Sequence, residues 1–496
     1  MNFTSFKVGD MMKRITVRRN YLEVYPYDIG DCTKLEYLLS VYDSIYHKST
    51  PIGFVYNEEE HTLRIPIGFG IYKLAKMIGT EDVVLEDNPD KPRKVVMTLV
   101  TEPKDRLQRN IIGFFVNPKN DRIGKTQVGV IAGTGIGKTY CAIASMTFTR
   151  SATMVVSNSA HLRSQWIEKL DSYTTIIEDE RMEIKSSSDI EKLFKEKHHR
   201  AGFYSVTHGL LQEYGSSHSW ERVGELFEEL GIGCLIIDEA HKHFANTVRL
   251  LTSVNTQRVM ILTATFQRSD HSDNRVFQSV FGTIPKFVQK EVCSSEDGPQ
   301  KHITGVMVTY AEPMRPDTLS RLVTKKGLNG AKYCTCLVDK GMRFHSVLKY
   351  LMDNFSIKRD MKTMVFCGSI YAADYIFDMA TQLYHGKKIG KYHSKVPKKE
   401  KENVLTDSDI IVTTSKSLGE GTDIDGLHCV INIEAYSSPL LAQQCPGRLR
   451  NLDDGVPYYY CEIVNRSVGP ALRQYNSRRR IFRENFGAVK VLDFKE

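Results

Sequence analysis

The stretch that decides the fold is VGVIAGTGIGKTYCAIASM, Val128–Met146. A short apolar run ends at Gly133, four more residues complete a glycine-rich loop, and a helical pattern opens with Lys138 and Thr139. Strand, glycine loop and helix in this order cradle the phosphates of a nucleoside triphosphate. Glycines let successive backbone N–H groups point inward, and the helix N-terminus adds partial positive charge. The stretch therefore predicts a nucleotide site on an α/β sheet.

The loop supplies the first candidate site residues. Lys138 would reach the β- and γ-phosphates, and the Thr139 hydroxyl would ligate Mg²⁺. Ala132 stands where a leading glycine is usual. The alternative is an ordinary glycine turn between a core strand and a helix, which a second motif downstream makes less favourable. The residues expected to hold the cofactors ATP and Mg²⁺ are Gly133, Thr134, Gly135, Ile136, Gly137, Lys138 and Thr139.

A second motif, CLIIDEAHKH, starts at Cys234. Its apolar strand ends in Asp238 and Glu239, and ligands of open α/β sheets bind at the carboxyl ends of strands. Asp238 is expected to hold Mg²⁺ through water, and Glu239 to orient the attacking water as a base. A carboxylate pair that merely caps the next helix is the alternative. The position about 100 residues after the phosphate loop favours the catalytic interpretation.

A third motif, RVMILTATFQRSD, ends another apolar run in Thr263, Ala264 and Thr265. Small hydroxyls at this position could sense the acidic pair and pass its state onward, so we expect Thr263, Thr265 and His241 to be coupling residues. Capping of the strand end by the threonines is the alternative.

The order of apolar runs predicts the domain organisation. Strand and helix candidates alternate from about residue 101 to 290 and again from about 346 to 466, which is typical of doubly wound parallel sheets. Residues 1–100 read as a β-rich α+β domain, with 14–27 as a strand and 47–53 as a turn. We therefore predict a small N-terminal domain at 1–100 and two α/β domains at 101–330 and 331–496.

Composition narrows the class of protein. The 496 residues are 41% hydrophobic and carry a net charge of +8, which permits a polyanionic partner. We find no uninterrupted apolar run of membrane length and no signal peptide, so we expect an intracellular protein without a membrane partner. Most of the ten cysteines lie in apolar runs, which indicates reduced core cysteines. The histidines at 208, 218, 241 and 243 show no convincing metal-ligand spacing.

GTGIGKT, DEAH and TAT, in this order, resemble motifs I, II and III of the superfamily 2 helicases. The resemblance covers roughly residues 101–470 and implies two tandem RecA-like domains that use ATP and Mg²⁺ on a nucleic acid. Gln108 resembles the glutamine that reads adenine. Gly421 and Asp423, in TTSKSLGEGTDI, resemble nucleotide-contacting residues of motif V. The expected nucleic-acid contacts are Ser159, Thr207, Arg268, Ser369 and Thr414, each with a helix-cap or turn role as the alternative.

A finer resemblance concerns residues 263–270, TATFQRSD, which are similar to the TAT-x-x-R-x-D of the XPB and UvsW group. Arg268 and Asp270 match, and Ser269 replaces an acid. This implies a DNA translocase, and the compact length favours a phage or other viral member that acts in the host cytoplasm. A small substrate-binding domain would then occupy residues 1–100. Duplex, forked or single-stranded DNA is the expected partner of a monomer.

Three alternatives stay open. The first is an RNA helicase or viral transcript-release factor, because DEAH-type motifs do not separate DNA from RNA. The second is the motor of a restriction system. The third is a binding module with a degenerate ATPase, which Lys138, Asp238 and Glu239 argue against. Two basic runs, 387–401 and 472–483, favour a polyanion but are equally typical of solvated surfaces.

The segment QQCPGRLR, 443–450, resembles motif VI with one departure. The family spaces its two arginines three apart, whereas Arg448 and Arg450 are two apart. We expect Arg450 to be the arginine finger and Arg448 a second contact. On a helix, a one-residue shift rotates a side chain by about 100°, and hydrolysis would be weak unless a local distortion of the backbone compensates for it.

Overall fold

The computed structural model contains two compact units. Residues 1–132 and 136–292 form the N-terminal unit, and residues 293–496 belong to the C-terminal unit. The structure describes residues 12–43, 48–86, 91–117, 119, 126–133, 136–196, 201–263, 271–289, 300–324, 327–401, 403–418, 424–438, 441–442, 445–451 and 454–495.

A small β-rich domain opens the N-terminal unit, as predicted. Its strands are β1 (Arg14–Val17), β2 (Tyr21–Tyr25), β3 (Ser40–Asp43), β4 (Lys48–Pro51), β5 (Val55–Asn57), β6 (Thr62–Pro66) and β7 (Val83–Leu85), and its helices are α1 (Thr33–Leu39) and α2 (Ile71–Ile78). Five strands form a sheet in the order β5-β6-β2-β1-β7, and β3 pairs with β4.

Two local predictions for this domain were wrong. Residues 14–27 form an antiparallel hairpin rather than one strand, because Asn20 is buried against a distant part of the chain. Its side-chain amide donates to the Val254 carbonyl (3.2 Å) and the Thr256 hydroxyl (2.9 Å). Residues 47–53, predicted as a turn, include β4. Both errors come from tertiary pairing, which local composition does not encode.

The first parallel sheet follows. Its strands are β8 (Gln127–Ile131), β9 (Ala152–Ser157), β10 (Arg181–Glu183), β11 (Phe203–Thr207), β12 (Ile232–Asp238), β13 (Arg258–Thr263) and β14 (Lys286–Val288), in the order β10-β11-β9-β12-β13-β8-β14. Helices flank it: α3 (Arg106–Phe115), α4 (Lys138–Thr149), α5 (Ala160–Tyr173), α6 (Ser187–Lys195), α7 (His208–Ser217), α8 (Trp220–Glu229), α9 (Phe244–Leu251) and α10 (His271–Val280). The central strands are continuous apolar runs because helices cover both faces of such a sheet.

The β-rich domain packs directly on this sheet's last helix. A Cβ on Gly68 would lie 2.8 Å from the carbonyl oxygen of Val280, so only glycine permits this approach of two backbones. The Arg275 guanidinium donates to the Ser40 carbonyl (3.0 Å), and Gln127 donates to the Asn20 carbonyl (2.7 Å). The domain therefore belongs to the same compact unit as β8 and α4, the strand and the helix that the phosphate loop connects.

The C-terminal unit holds a second parallel sheet of seven strands, which are β15 (Ile303–Tyr310), β18 (Lys362–Cys367), β19 (Ile389–Tyr392), β20 (Ile410–Thr414), β21 (Leu427–Asn432), β22 (Tyr458–Asn465) and β23 (Ala488–Asp493). Their order in the sheet is β19-β20-β18-β21-β22-β15-β23. A separate antiparallel pair consists of β16 (Val323–Thr324) and β17 (Gly327–Leu328). The helices are α11 (Pro316–Leu322), α12 (Gly330–Lys340), α13 (Met342–Phe355), α14 (Ile370–Leu383), α15 (Lys398–Lys401), α16 (Val404–Asp407), α17 (Ser415–Leu418) and α18 (Gly469–Asn485).

The two parallel sheets confirm the predicted fold class of tandem α/β domains after a small β-rich one. The predicted boundary at 330/331 falls inside the C-terminal unit, because β15 pairs with β22 and β23 across more than 140 residues of chain. The described cysteines carry free thiols, mostly buried. In the part of the chain that the structure describes, no helix combines the length and apolar character needed to span a membrane.

Candidate nucleotide and nucleic-acid site

The phosphate loop joins β8 to α4. Gly137, which precedes the helix, has a φ of +85°, and a Cβ there would lie 2.5 Å from the Gln108 side-chain nitrogen. Both observations require glycine, so the sequence pattern has a local physical cause. Lys138 lies at the start of α4, where its ammonium donates to the Ala132 carbonyl across the loop (2.9 Å). Thr139 follows in the first turn of α4, and Thr134 and Gly135 lie outside the described residues.

Gln108 lies against this loop. Asp105 caps α3 by accepting from the Gln108 backbone N–H (2.8 Å), which fixes the residue at the start of the helix. The side-chain amide donates to the Ile136 carbonyl (2.9 Å), and its oxygen accepts from the Lys104 N–H (2.8 Å). The structure thus brings the predicted adenine reader next to the phosphate loop, and its role as reader stays a prediction.

Asp238 ends β12 and is held by an indole. The Trp166 Nε1–H donates to its carboxylate (3.1 Å). Burial, followed by the nearby Glu239 charge, raises the pKa of Asp238 to about 6, against the lowering effects of Trp166, Lys138 and Lys242. The position of Trp166 beside motif II was not predicted. Its signal was a lone tryptophan on a helix that follows the neighbouring strand.

Glu239 and His241 continue the acidic motif in a tight turn. Glu239 has a φ of +50°, an uncommon backbone for a residue with a side chain. The Nδ1 atom of His241 lies 3.3 Å from a Glu239 carboxylate oxygen and 2.9 Å from the Thr263 hydroxyl. His241 and Thr263 are both buried. The structure therefore brings the acidic pair and two predicted coupling residues together, whereas Thr265 lies outside the described residues.

Two predicted nucleic-acid contacts cap helices at the same edge of the sheet. Ser159 follows β9 and accepts from the Leu162 N–H at the start of α5 (3.2 Å). Thr207 ends β11 and accepts from the Leu210 N–H at the start of α7 (3.2 Å). Each capping hydroxyl retains its own O–H as a donor. Capping, the alternative role, is thus present, and it leaves contact with a phosphate open.

The C-terminal unit carries the remaining predicted contacts. Ser369 caps α14 by accepting from the Ala372 N–H (3.2 Å), and its hydroxyl lies 2.9 Å from that of Thr335. Thr414, at the end of β20, lies 3.0 Å from the Ser417 hydroxyl. The predicted sites Arg268, Gly421 and Asp423 lie outside the described residues.

The two motif VI arginines are not related by a helix. Arg448 ends a short 3₁₀ turn, Pro446–Arg448, and is buried, whereas Arg450 is exposed. Leu449 between them has a ψ of +89°, so the chain leaves helical geometry there. Because the backbone leaves helical geometry here, the rotation of about 100° expected for a helix does not apply between these two arginines. The division of roles between the two arginines stays a prediction.

Ion pairs engage several basic residues, including one in the basic run 472–483 that favoured a polyanion. Arg478, in the run 472–483, is buried and pairs with the buried Glu462 (3.0 Å). In the β-rich domain, Arg14 pairs with Asp82 (2.9 Å) and Arg18 with Glu86 (2.7 Å). Arg478 therefore has a structural role, and the two N-terminal arginines are matched by local carboxylates.

Comparison with known proteins adds the family. Residues 100–268 match the family model described as "Type III restriction enzyme, res subunit", and residues 344–451 match "Helicase conserved C-terminal domain". The chain has the two conserved domains of a superfamily 2 helicase. It is a nucleic-acid-dependent ATPase of that type. No curated protein matches this helicase-type chain significantly.

Solved structures support the fold of the helicase. Dbp5 of S. cerevisiae, bound to RNA and ADP BeF3, is 13% identical, with a TM-score of 0.53 over 78% of this chain and 89% of that one. Mss116p, bound to ssRNA and AMP-PNP, is 13% identical, with a TM-score of 0.52 over 79% of this chain and 78% of that one. At this identity the likeness establishes the tandem RecA-like fold alone.

The residues present fit ATP and Mg²⁺. The glycine loop, Lys138 and the start of α4 provide donors for phosphate, and the partly buried Asp238 with the Thr139 hydroxyl provides oxygen ligands. Within the described ranges, His, Cys, Asp and Glu side chains nowhere gather in threes around a possible metal position. Mg²⁺ is usually bound through one or two carboxylates together with substrate phosphates, and Asp238 supplies a carboxylate at this position.

Proposed function

We propose that this helicase-type ATPase is a DNA translocase that couples ATP hydrolysis to the unwinding or remodelling of duplex or branched DNA. One observation carries the proposal: the acidic pair, its coupling residues and two capped helix N-termini lie at one edge of one parallel sheet. β12, which ends in Asp238, lies beside β9 and β13, and β11 lies beside β9. Hydrolysis of the nucleotide would therefore take place close to the helix N-termini that could bind the phosphate backbone of a DNA strand.

Each residue has a role in this proposal. Lys138 holds the transferred phosphate, and Asp238 with Thr139 holds Mg²⁺, which when bound neutralises the developing charge. Glu239 accepts a proton from the attacking water or orients it. His241 bridges Glu239 and the Thr263 hydroxyl, so the state of the acidic pair reaches the end of β13. Arg448 and Arg450 are retained as candidates for stabilising the transition state.

The protein should contact the nucleic-acid strand mainly through its phosphates. A motor that moves along a polymer must tolerate any sequence, and phosphate contacts carry no sequence information. Ser159 and Thr207 in the N-terminal unit, and Ser369 and Thr414 in the C-terminal unit, are the proposed contacts. Three of these four hydroxyls stand at helix N-termini, which favour anions.

DNA is preferred over RNA as the substrate for two reasons. Residues 263–270 resemble the XPB and UvsW group, and the matched N-terminal family model is described by a restriction enzyme subunit. On the same resemblance, the proposal takes the chain as a viral, UvsW-like member of that group. An RNA-directed activity is the second candidate, because the solved neighbours Dbp5 and Mss116p are bound to RNA.

The test is the steady-state ATPase rate of the full chain without polymer and with single-stranded DNA, forked duplex DNA or RNA. Lys138→Ala gives the background rate, and Lys76→Ala, an exposed lysine on α2, is the matched control. Stimulation by forked or duplex DNA supports the proposal, and unwinding assays follow. Stimulation by RNA alone overturns it in favour of the second candidate.

A further inference from the structure

Two imidazole rings stack next to the acidic motif. The ring centroids of His208 and His243 are 5.2 Å apart, with an angle of 28° between the planes. His208 is 1% exposed. Burial, followed by the neighbouring His243, lowers the pKa of His208 to about 3, so this ring is neutral at physiological pH. The pair is thus an ordered internal contact between α7 and the segment before α9.

A second polar contact joins the same two elements. The Asn246 side-chain amide donates to the Gln212 side-chain oxygen (2.8 Å). His208 and Gln212 are one turn apart on α7, so they lie on the same face of the helix. Apolar packing alone tolerates sliding, whereas polar and stacked pairs fix a register. The two contacts therefore hold α7 in one position relative to the start of α9.

The stacked pair lies between two groups with proposed functions, the phosphate contact Thr207 and the turn that carries Glu239. His208 directly follows Thr207, the cap of α7 and a proposed phosphate contact. His243 lies four residues after Glu239, and the turn between them is closed by a hydrogen bond from the Lys242 N–H to the Glu239 carbonyl (3.0 Å). Few rotatable bonds separate the ring stack from either end. Displacement of α7 would therefore move the turn that carries Glu239 and His241.

We propose that His208 and His243 are positioning residues that couple the grip of Thr207 on a phosphate to the geometry of Glu239 and His241. This inference rests on the proposed function, since the phosphate contact of Thr207 belongs to it. Binding of a strand at the start of α7 would set the position of the ring stack and hence of the catalytic turn. The stack would complement the contact between His241 and Thr263.

The first experiment needs no nucleic acid. Hydrogen exchange of the full chain is measured with and without Mg²⁺ and a non-hydrolysable ATP analogue, at the phosphate loop and at the Leu210 amide, which donates to Thr207. In the wild type, the analogue should change exchange at both places. In His208→Ala, the response at α7 should vanish while the response at the loop persists. A wild type without a response at α7, or a His208→Ala variant that retains it, overturns the proposal.

The second experiment measures the ATPase rate of the same variants with and without saturating polymer. His208→Ala should lose about five- to tenfold of the stimulation, measured as the ratio of the rates with and without polymer, as expected for the loss of a typical coupling between sites. His208→Phe, which keeps a ring in the stack, should restore most of it. Tyr214→Phe is the matched control, because its hydroxyl contacts Glu191 (2.5 Å) rather than α9.

The outcomes separate the two proposals. If polymer stimulates His208→Ala as strongly as the wild type, the coupling role is overturned. It is also overturned if Tyr214→Phe loses as much stimulation as His208→Ala and its Tm falls by the same amount. A wild type that no polymer stimulates, but whose α7 amides respond to the ATP analogue, contradicts the proposed function and leaves the internal coupling standing.

Discussion

Each parallel sheet of this protein holds a carboxylate, fully buried for Glu462 and partly buried for Asp238, and the two have different hydrogen-bond partners. Glu462, on β22 of the C-terminal unit, is bound through two oxygens by the Arg478 guanidinium and also accepts from Tyr460 (3.2 Å) and Asn432 (3.3 Å). Asp238, at the end of β12 in the N-terminal unit, accepts from the neutral indole of Trp166 and has its pKa raised to about 6.

The difference in hydrogen-bond partners indicates that Glu462 has a structural role and Asp238 a catalytic one. A buried ion pair with all its hydrogen bonds made is rigid and has nothing further to bind. The Arg478 guanidinium also donates to the Tyr436 carbonyl, so Glu462 anchors the chain that leads toward motif VI. The raised pKa of Asp238 means that its charged form is under-stabilised, and a divalent cation would remove that cost. Strongly perturbed carboxylates of this kind mark functional sites more often than satisfied pairs do.

The largest expected effect is on ATP hydrolysis at the site that contains Asp238. Lys138→Ala should reduce ATP hydrolysis by about 10³-fold or more, because a preorganised charge that stabilises the transition state is lost. Binding of DNA should persist, and the ATPase rate together with a DNA-binding titration checks both. A variant with wild-type turnover would remove Lys138 from the phosphate loop function.

Glu239→Gln should slow hydrolysis by about 10²- to 10⁴-fold, the range typical of a general base, while ATP still binds. We expect the variant to stay trapped on DNA in its ATP-bound state. A fluorescent-nucleotide titration and single-turnover kinetics separate binding from hydrolysis. Glu213→Gln, on the surface of α7, is the control and should retain full turnover.

Glu462→Gln tests the structural side of the comparison. It leaves the Arg478 charge buried without its partner, so the free energy of unfolding should fall by about 3–5 kcal/mol. Urea denaturation measures this change. Glu484→Gln breaks the exposed pair with Arg480 and should change the free energy of unfolding by less than about 1 kcal/mol. Equal effects of the two substitutions would contradict the assigned role of Glu462.

Asp238→Asn should raise the free energy of unfolding, whereas Glu462→Gln should lower it. A carboxyl with a raised pKa destabilises the folded protein above that pKa, so without Mg²⁺ at pH 7.5 the variant should gain about 1–3 kcal/mol in free energy of unfolding. The gain should disappear as the pH falls through about 6 toward the ordinary value of 3.8. A loss of stability like that of Glu462→Gln would mean that Asp238 is a structural group as well.

The smallest effect concerns His208, whose pKa is lowered from 6.5 to about 3. A lowered pKa contributes stability that is present above pH 6.5 and is lost as the pH falls toward 3. Relative to His208→Phe, the wild type should lose up to about 1.4 kcal/mol for each pH unit below 6.5. Unfolding at several pH values checks the slope, and parallel curves for the two proteins would contradict a buried neutral His208.

Much of the site was predictable because its determinants are local. A φ of +85° at Gly137 needs glycine, and the apolar runs that end in Asp238 and Thr263 are what a sheet covered on both faces requires. Capping by Ser159 and Thr207 was the stated alternative to phosphate contact, and it follows from the short side chains just before each helix.

The errors have the opposite cause. The hairpin at 14–27 and the strand β4 depend on what each segment meets elsewhere in the chain. Arg478 looked like part of a basic surface run, and it is buried because Glu462, on another element, is its partner.

The sequence by itself determined the order of strands and helices, the phosphate loop, the acidic motif and hence the class of enzyme, because these depend on residues adjacent in the chain. Only the tertiary structure decided which groups meet: Trp166 with Asp238, His241 with Thr263, and His208 with His243. These contacts join strands and helices that are 22 to 72 residues apart. Spacing along the chain cannot encode them, because the order of strands in the sheet brings them together.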